Sequence, residues 1–497
     1  MDQNQISEAQ SSSLNRLIFK NASFVTIGMI ALKAINFLFN VLVVRRLGDE
    51  RFGQYSVVLA FVGIFQIFAE LGISQFVTRE ITRDHEKVHN YFWNLVVLRV
   101  LLALIGMAGI PLAAMEAQYS PELVLGIFIY ATSFLLSAFS VPLASVLRAH
   151  ERLDYVTLID VSAQIVFIIF GSIFLFSGLG FLWLIVASLI GILPRIGIAI
   201  WAFYKIGLNR IPFNIDVRTW PHLVRAGIPF GIISLMMSIA YSIDTVILNQ
   251  YVSKEEVGWY NVAYNLIFSL MMFSSSFQAA MVPSLSRVFV QDPLKVQRWY
   301  YSSVKVIFMI SIPISVGGLF VAYPLIQFLY TREFLPAGLA LQILIWDVPL
   351  LMFAGFCGDM TTITTEERSA ARINTVNTLA NIVLNLIFIP RFGMVGAALV
   401  TVTTDAVSAL QFHFLLKRKL QLPSIVREFV KIIAASILMG GILYLVRGLN
   451  LFVQIGIGAS TYFAMVWLFR VLSEQELNTL RQVFARIRLT VLPNKST

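Results

Sequence analysis

The stretch VVRRLGDERFGQYSVV, residues 43–58, ends one long apolar run and begins another, and a similar stretch, LNQYVSKEEVGWYNVA, occupies residues 248–263. Laying Gly53 on Gly258 aligns an apolar helix end, a polar loop, a Gly-x-Tyr triplet and the start of a new helix. Membrane transporters are commonly built from internal repeats of this kind. The two stretches therefore predict a membrane protein with two similar lobes in parallel orientation.

The composition agrees with a protein that lies almost entirely in the membrane. Of 497 residues, 58% are hydrophobic and only 13% are charged, against about 25% charged residues in an ordinary soluble domain. The apolar runs are continuous, without the alternating pattern of barrel strands. A soluble globule and a β-barrel are both excluded. No room remains for a soluble catalytic domain, so we expect no enzyme.

Fourteen apolar runs bounded by charge, Gly or Pro are predicted to be membrane-spanning helices. They cover residues 19–44, 55–77, 91–115, 122–147, 155–177, 181–204, 228–250, 259–283, 304–327, 338–364, 373–390, 397–416, 429–447 and 451–472. We therefore predict an all-α polytopic membrane protein with two six-helix lobes related by a parallel repeat, plus two C-terminal helices. The predicted parts are a cytoplasmic tail (1–18), the N-lobe (19–204), a cytoplasmic linker (205–227), the C-lobe (228–416), helices 13 and 14 (429–472) and a cytoplasmic amphipathic tail (473–497).

The basic residues predict how the chain is oriented. With the N-terminus inside, the inner segments hold most of the 37 Lys and Arg, and short cytoplasmic loops carry that excess. We expect both termini in the cytoplasm and the protein in the inner, or plasma, membrane. The net charge of +10 is thus a topology signal and does not indicate a nucleic-acid partner. Arg45 and Arg46 lie in a predicted outer loop, where they either snorkel to the interface or help to hold an anionic group at the outer mouth.

Two sets of residues carry a resemblance to a known family. The first is Leu47-Gly48, Phe52-Gly53-Gln54-Tyr55, Leu71-Gly72 and Thr78-Arg79-Glu80; the second is Asn381-Ile-Val-Leu-Asn385, Ile389-Pro390, Gly393, Gly396-Ala397-Ala398 and Thr401. With them the sequence resembles the Wzx-type oligosaccharide flippases of polysaccharide export, which are relatives of the lipid II flippases and of the MATE multidrug extruders. The resemblance implies a two-lobe transporter that moves an undecaprenyl-pyrophosphate-linked oligosaccharide from the inner to the outer leaflet by alternating access. It also implies structural roles for the motif residues, with glycines in tight turns and Pro390 stopping a helix.

Five ionisable side chains lie within the predicted spans of the first lobe: Lys33, Glu70, Arg99, Asp160 and Arg195. A charge in the bilayer is costly and normally faces a cavity or a partner. We hypothesise that Lys33, Arg99 and Arg195 attract the pyrophosphate of the carrier, because a doubly charged group needs several cations in a low-dielectric site. The alternative is internal ion pairing, such as Lys33 with Glu70 or Arg99 with Asp160, which would hold helices together.

The predicted membrane charges of the second lobe are all acidic: Asp244, Asp347, Asp359 and Asp405, with no well-buried Lys or Arg. One or more of these residues, together with Glu70 and Asp160, are candidates for binding the H⁺ or Na⁺ that would drive the return step. Packing or pairing is the alternative for each. We expect no metal and no cofactor other than the coupling ion.

Amide side chains recur on single faces of several predicted helices. They are Asn36 and Asn40 on the first helix, Gln66 on the second, Asn261 and Asn265 on the eighth, and Asn381 and Asn385 on the eleventh. On the second helix the predicted face also holds Gly63, Glu70 and Ser74. Polar stripes of this kind suit the wall of a wet cavity, and we expect them to accept sugar hydroxyls.

Other functions remain open at this point. A MATE-like H⁺- or Na⁺-coupled multidrug antiporter fits the four Asp residues of the second lobe, and a lipid II flippase shares the resemblance. His85, Glu86 and His89 match the H-E-x-x-H zinc motif of membrane proteases, although they lie in a short charged loop. The expected partners are the lipid-linked oligosaccharide, the bilayer and other polysaccharide-assembly membrane proteins. The single cysteine, Cys357, is predicted to be a small buried packing residue.

Overall fold

The computed structural model describes the backbone of residues 3–208, 211–271, 293–364, 366–420 and 426–472. Within these ranges it describes the side chains except those of 3–31, 293–295 and 367. The regular structure of this described part is helical, and the part contains no β-strand. The predicted all-α class is confirmed. The amphipathic tail predicted for 473–497 lies outside the described residues.

Fourteen α-helices follow one another along the described residues. They are α1 (Gln3–Phe65), α2 (Ile73–Arg83), α3 (Val88–Glu116), α4 (Pro121–Ala149), α5 (Leu153–Phe176), α6 (Phe181–Lys205), α7 (Trp220–Tyr251), α8 (254–271), α9 (Pro293–Leu329), α10 (Ala337–Leu344), α11 (Asp347–Ile363), α12 (Glu367–Leu420), α13 (Val426–Leu445) and α14 (Leu451–Leu468).

Ten helical segments of the described chain are long and apolar enough to cross a bilayer. The α10–α11 pair, bent by 41°, supplies one more span. Two of the ten segments, Leu32–Ala69 and Arg368–Leu420, each correspond to two predicted spans. Helix α8 corresponds to the eighth predicted span, 259–283. Every predicted span therefore has a helical counterpart.

Two of the helices, α1 and α12, are broken at a glycine. Gly48 in α1 has φ 75° and ψ 175°, and Gly393 in α12 has φ 55° and ψ −136°. An unbroken helix of 63 residues would be about 95 Å long, three times the ~30 Å hydrocarbon core. Each glycine thus separates two spans. Pro390 does not stop its helix as expected, because it lies inside α12 and the break follows at Gly393.

The second predicted span, 55–77, is also broken, near the end predicted to be cytoplasmic. α1 ends at Phe65, a 3₁₀ turn follows, and α2 begins at Ile73. Between them Leu71 and Gly72 have left-handed φ values of 48° and 69°. A leucine in this region pays about 1–2 kcal/mol of steric strain, so the surrounding contacts must hold it there.

The chain divides into two compact units, Met1–Asn261 and Val262–Thr497. In the first, an apolar core lies where α2, α3, α4, α6 and the start of α7 meet, at Ile73, Leu95, Leu147, Ala199 and Leu223. Helix α7 packs within this unit, through α1 and α2. The predicted boundary between the lobes, within the linker, stays a prediction.

In the second unit, α9, α13 and α14 share an apolar core that includes Ile312, Ala435 and Tyr462. The Tyr462 hydroxyl donates to the Met309 carbonyl over 2.7 Å, which links α14 to α9. Cys357 is buried in α11, as predicted.

Many large apolar side chains are exposed on helices of both units. Ile105 is 69% exposed, Trp467 77% and Leu445 81%. Continuous apolar surface of this kind is not stable in water but suits contact with lipid chains. These surfaces therefore agree with a multi-pass membrane protein.

Candidate functional site

Arg99 of α3 is a buried ion-paired residue. Its side chain is 4% exposed and its Nη1 atom lies 3.4 Å from Glu70 Oε1. The same Nη1 donates to the Ser74 hydroxyl over 2.7 Å. Among the described residues Arg99 Nε has no hydrogen-bond partner. Arg99 thus ties α3 to the broken segment between α1 and α2.

Glu70 lies in that break and not on a continuous helix. The helical spacing that placed Gln66, Glu70 and Ser74 on one face does not persist through the left-handed pair Leu71 and Gly72. The expected common face is therefore wrong. Gln66 is exposed and Glu70 is 26% exposed, while Ser74 is buried on α2. Glu70 and Ser74 are instead linked through Arg99, which contacts both side chains.

Arg195 of α6 also forms an ion pair, and its partner is Asp160 of α5. The Arg195 side chain is 36% exposed and that of Asp160 is 47% exposed. The two membrane arginines therefore pair with Glu70 and Asp160, and the example pairing of Arg99 with Asp160 is wrong. The first pair ties α3 to the break after α1, whereas the second joins α5 to α6 and is the more exposed of the two.

Lys33, Asn36 and Asn40 lie on α1. Lys33 is exposed, and both asparagines are half-buried. The Oδ1 atom of Asn36 is buried and accepts no hydrogen bond from the described residues. Burying an amide oxygen without a donor costs free energy, so Asn36 is the amide of this set that most clearly has capacity for a ligand hydroxyl.

The predicted outer-loop cations lie near the end of the first half of α1. Arg45 and Arg46 are both exposed. The Arg46 guanidinium lies over the Phe176 ring, 4.6 Å from its centroid. This cation–π contact favours the snorkelling interpretation for Arg46.

Asp244 is a buried carboxylate of the first unit. It is 3% exposed and accepts a hydrogen bond of 2.7 Å from the Tyr260 hydroxyl. The next residue, Thr245, donates to Asn261 Oδ1 over 3.1 Å. Two predicted site residues, Asp244 and Asn261, are thus brought together between α7 and the start of α8.

The other acidic candidates belong to the second unit. Asp347 is 1% exposed and begins α11, Asp359 is half-buried farther along the same helix, and Asp405 is half-buried on α12. Asp359 Oδ2 is buried and has no hydrogen-bond partner in the described part of the chain. Asn265 of α8 is half-buried.

Asn381 and Asn385 form a buried ladder within α12. Asn381 donates to the Thr404 hydroxyl over 3.2 Å, across the two halves of the helix. Asn385, which is 0% exposed, donates to Asn381 Oδ1 over 2.9 Å. Asn377 extends the ladder through a 2.9 Å hydrogen bond to Gln411. This placement favours a role in helix packing over contact with sugar.

Two buried polar residues were missed from the sequence. Lys305 of α9 is 6% exposed, which corrects the expectation that the second lobe has no well-buried cation. Lys305 was overlooked because it lies at the edge of its predicted span, 304–327, where a basic residue is assigned to the adjoining loop. Asn94 of α3 is 1% exposed and accepts hydrogen bonds of 2.9 Å from both Asp216 N and Trp220 Nε1. Asn94 therefore anchors the linker to α3. In the sequence, the only sign of this role is an amide side chain within an apolar helix.

The H-E-x-x-H residues do not lie on one helix. His85 is in a 3₁₀ turn and stacks on the His150 ring at 4.5 Å, whereas His89 is in the first turn of α3. A zinc protease needs both histidines on one helical face. Among the described residues no group of three or more His, Cys, Asp or Glu could hold a metal ion.

The carboxylate of Glu80, in the Thr78-Arg79-Glu80 motif of α2, forms ion pairs with three basic side chains. Lys87 Nζ lies 2.7 Å from it, Arg83 3.6 Å and Arg79 3.7 Å. The hydrogen bond from Lys87 and the nearby positive charges lower the pKa of Glu80. Lys419 likewise lowers the pKa of Glu366 through a 2.8 Å contact. Both carboxylates have structural roles outside the spans.

Known families and relatives match much of the chain. The profile of the family described as Polysaccharide biosynthesis protein matches residues 18–289, and a profile described as MatE matches residues 229–387. The chain is 23% identical over 433 residues to "Probable low-salt glycan biosynthesis flippase Agl15" from Haloferax volcanii, covering 85% of this chain and 88% of that protein. It is 18% identical over 410 residues to "Capsular polysaccharide biosynthesis protein CapF" from Staphylococcus aureus, covering 80% and 99%.

Solved structures share the fold. "Lipid II flippase MurJ, inward closed conformation" matches with a TM-score of 0.73 at 18% identity, over 89% of this chain and 98% of that chain. An inward-facing multidrug resistance MATE family transporter of the MOP superfamily matches with a TM-score of 0.64 at 17% identity, over 78% and 94%. The helices described above thus have the arrangement found in these membrane transporters.

Proposed function

Because the chain belongs to the polysaccharide biosynthesis protein family, we propose that it moves a lipid-linked oligosaccharide from the cytoplasmic to the outer leaflet by alternating access. The proposed carrier lipid is undecaprenyl pyrophosphate. The names of its relatives Agl15, a probable glycan biosynthesis flippase, and CapF, a capsular polysaccharide biosynthesis protein, support a glycan as the transported group. The protein acts in the plasma membrane with both termini in the cytoplasm, beside other polysaccharide-assembly proteins.

The observation that carries the proposed binding site is the accessible ion pair of Arg195 and Asp160. Asp160 neutralises Arg195 while the site is empty, which lowers the cost of holding a cation in the membrane. A pyrophosphate has more negative charge than one carboxylate, and its oxygens suit the planar guanidinium. It therefore displaces Asp160 from Arg195 when the lipid enters.

The other two predicted cations have different roles in this proposal. Lys33, which is exposed, supplies a second positive charge for the pyrophosphate. Arg99 is too buried to touch the lipid, and it acts as a positioning residue that holds the break at Glu70. Asn36 is half-buried, and its amide oxygen has no donor in the described structure. In this proposal that oxygen accepts a hydrogen bond from a sugar hydroxyl.

Asp359 is the strongest candidate for ion coupling. A buried carboxylate oxygen without a donor is costly when it is charged, and binding H⁺ or Na⁺ removes that cost. Asp244 is the second candidate, already held by Tyr260. The return step is driven when one of these residues binds the ion on one side of the membrane and releases it on the other.

Transport of a labelled lipid-linked oligosaccharide in vesicles tests the cation site. We expect Arg195→Ala and Lys33→Ala to lose most of the transport at normal membrane levels, whereas the control Arg447→Ala, an exposed cation near the end of α13, keeps it. Normal transport by Arg195→Ala would reject the site. Transport that continues after both proton and sodium gradients collapse would reject the coupling.

A multidrug antiporter is the second candidate function. The MatE profile favours it, because the matched region 229–387 contains Asp244, Asp347 and Asp359. Deletion of the gene separates the candidates. Accumulation of undecaprenyl-linked oligosaccharide in the inner leaflet supports the flippase, accumulation of lipid II indicates a lipid II flippase, and raised drug sensitivity with normal polysaccharide indicates the antiporter.

A further inference from the structure

A groove of the first unit lies between α3 and the segment that leads into α7. Its volume is about 550 Å³, which is in the range of ordinary ligand sites. The lining includes Leu98 of α3 and, from the other side, Val217, Trp220, Val224 and Ile228. Apart from Arg225, the described side chains that line the groove are apolar. The groove therefore suits a hydrocarbon chain.

One buried asparagine holds the outer wall of the groove in place. Asn94 of α3 is 1% exposed. Its Oδ1 atom accepts hydrogen bonds of 2.9 Å from Asp216 N and Trp220 Nε1. Its Nδ2 atom donates to the Asn214 carbonyl over 3.3 Å. A buried amide satisfied in this way fixes the geometry of its partners, so the wall that carries Trp220 is built into the fold.

The groove extends from the level of the lipid headgroups into the hydrocarbon layer. Val217 precedes the predicted span 228–250, which begins at Ile228, whereas Leu98 lies about 10 Å into the predicted span 91–115. One end of the groove is therefore at the headgroups of the leaflet predicted to be cytoplasmic. Val217 is 60% exposed there, and apolar surface in contact with interfacial water is costly. An occupant that covers this surface is favoured.

Arg225 supplies positive charge at the headgroup end. Its side chain is exposed and lines the groove just before the predicted span begins. A guanidinium binds phosphate oxygens through paired hydrogen bonds. One guanidinium matches the single charge of a phosphodiester, whereas a pyrophosphate needs several cations in a low-dielectric site. The charge of the groove thus suits an anionic phospholipid better than it suits the proposed carrier lipid.

We propose that this groove binds one anionic phospholipid of the cytoplasmic leaflet. The phosphodiester lies on the Arg225 guanidinium, and an acyl chain follows the apolar walls toward Leu98. Basic pockets between helices at this side of a membrane recognise anionic headgroups, and the cationic group of a zwitterionic lipid offsets the attraction. The bound lipid is a resident of the site and not cargo, so the site is present whatever the protein transports.

Quenching of Trp220 fluorescence by lipids with brominated acyl chains tests the proposal. The full chain is placed in phosphatidylcholine vesicles that contain increasing amounts of brominated phosphatidylglycerol or brominated phosphatidylcholine, and the Trp220 signal is the part lost in Trp220→Phe. We expect the glycerol lipid to quench at about a tenth of the amount that the choline lipid needs. Arg225→Gln should remove this preference. The matched control Arg218→Gln, an exposed arginine of the same segment outside the described lining, should keep it.

Three results would overturn the proposal. The first is equal quenching of Trp220 in the parent protein by the two brominated lipids. The second is an equal loss of preference in Arg225→Gln and Arg218→Gln, which would indicate attraction by general surface charge. The third is relief of the quenching by less farnesyl pyrophosphate than unbrominated phosphatidylglycerol, which would assign the groove to a prenyl carrier.

Retained lipid decides the matter if Trp220→Phe does not fold. Native mass spectrometry of the purified proteins should detect bound phosphatidylglycerol on the parent and on Arg218→Gln, with about tenfold less on Arg225→Gln. Equal retention by all three proteins would refute the site.

Discussion

The two arginine ion pairs of the first unit have the same chemistry and opposite exposure. Arg99 is 4% exposed and pairs with Glu70 beside a helix break, whereas Arg195 and Asp160 are 36% and 47% exposed on α6 and α5. A buried charge that loses its partner cannot recover the loss from water, but an accessible one can exchange its partner for another anion. Exposure therefore agrees with a structural role for the first pair and with the proposed ligand-binding role for the second.

Removing one carboxylate from each pair should give the largest contrast. Glu70→Ala leaves Arg99 charged and buried, so we expect the free energy of unfolding to fall by about 3 kcal/mol. Asp160→Ala, the matched control, should lower it by less than about 1 kcal/mol, because that pair is exposed. Denaturant unfolding in detergent measures both. Equal destabilisation by the two variants would remove the distinction between the pairs.

Neutralising the carboxylates without shortening them should sharpen the contrast in ligand binding. Asp160→Asn frees Arg195 from its competitor, so we expect inorganic pyrophosphate to bind about tenfold more tightly, equivalent to about 1.4 kcal/mol. Glu70→Gln should leave that affinity unchanged. Isothermal titration of the purified protein measures the two constants. An unchanged affinity in Asp160→Asn would mean that the exposed pair does not exchange its anion.

The same rule applies to the amides, with a smaller effect. Asn381 is buried and bonded to both Thr404 and Asn385, so Asn381→Ala should cost about 1–3 kcal/mol by leaving partners unsatisfied. Gln66 is exposed, and Gln66→Ala should change stability by no more than about 0.5 kcal/mol. Thermal unfolding compares the two. A destabilising Gln66→Ala would show that exposure does not separate structural from available amides.

The smallest effect is expected at Glu80, where the ion pairs lie outside the spans. Its pKa is lowered in the folded protein, so the ionised carboxylate stabilises the fold above its ordinary pKa, and that stabilisation is lost as the pH falls through the lowered value. Glu80→Gln should therefore be less stable than the parent near neutral pH and equal to it in acid. Melting curves across this pH range, with the exposed Glu86→Gln as control, test the sign. A difference that grows in acid would contradict it.

The candidate site was predictable in its residue types but not in its pairs. The sequence identified Arg99, Glu70, Arg195 and Asp160 as intramembrane charges, because hydropathy places them within spans. Its example of an ion pair, Arg99 with Asp160, was wrong because partners depend on which helices are neighbours. The buried Lys305 was missed because a residue at the edge of an apolar run has no hydropathy signal of its own.

The helix breaks show the same limit. Gly48 and Gly393 lie between predicted spans, and the need to keep each span near the bilayer thickness makes a break there predictable. The left-handed Leu71 was not predictable, because leucine has no local preference for that conformation. Its strain is offset by contacts from α7, which approaches only in the folded protein.

By itself the sequence determined the membrane class and the all-helical fold, and it predicted the spans, the repeat and the residues that carry charge into the bilayer. These properties follow from composition and order along the chain, which set the cost of leaving each segment in water or in lipid. Tertiary structure alone decided that Gly53 lies against Gly258, that Arg99 is enclosed and that Arg195 is open. Burial and contact depend on the approach of distant segments, so no local pattern encodes them.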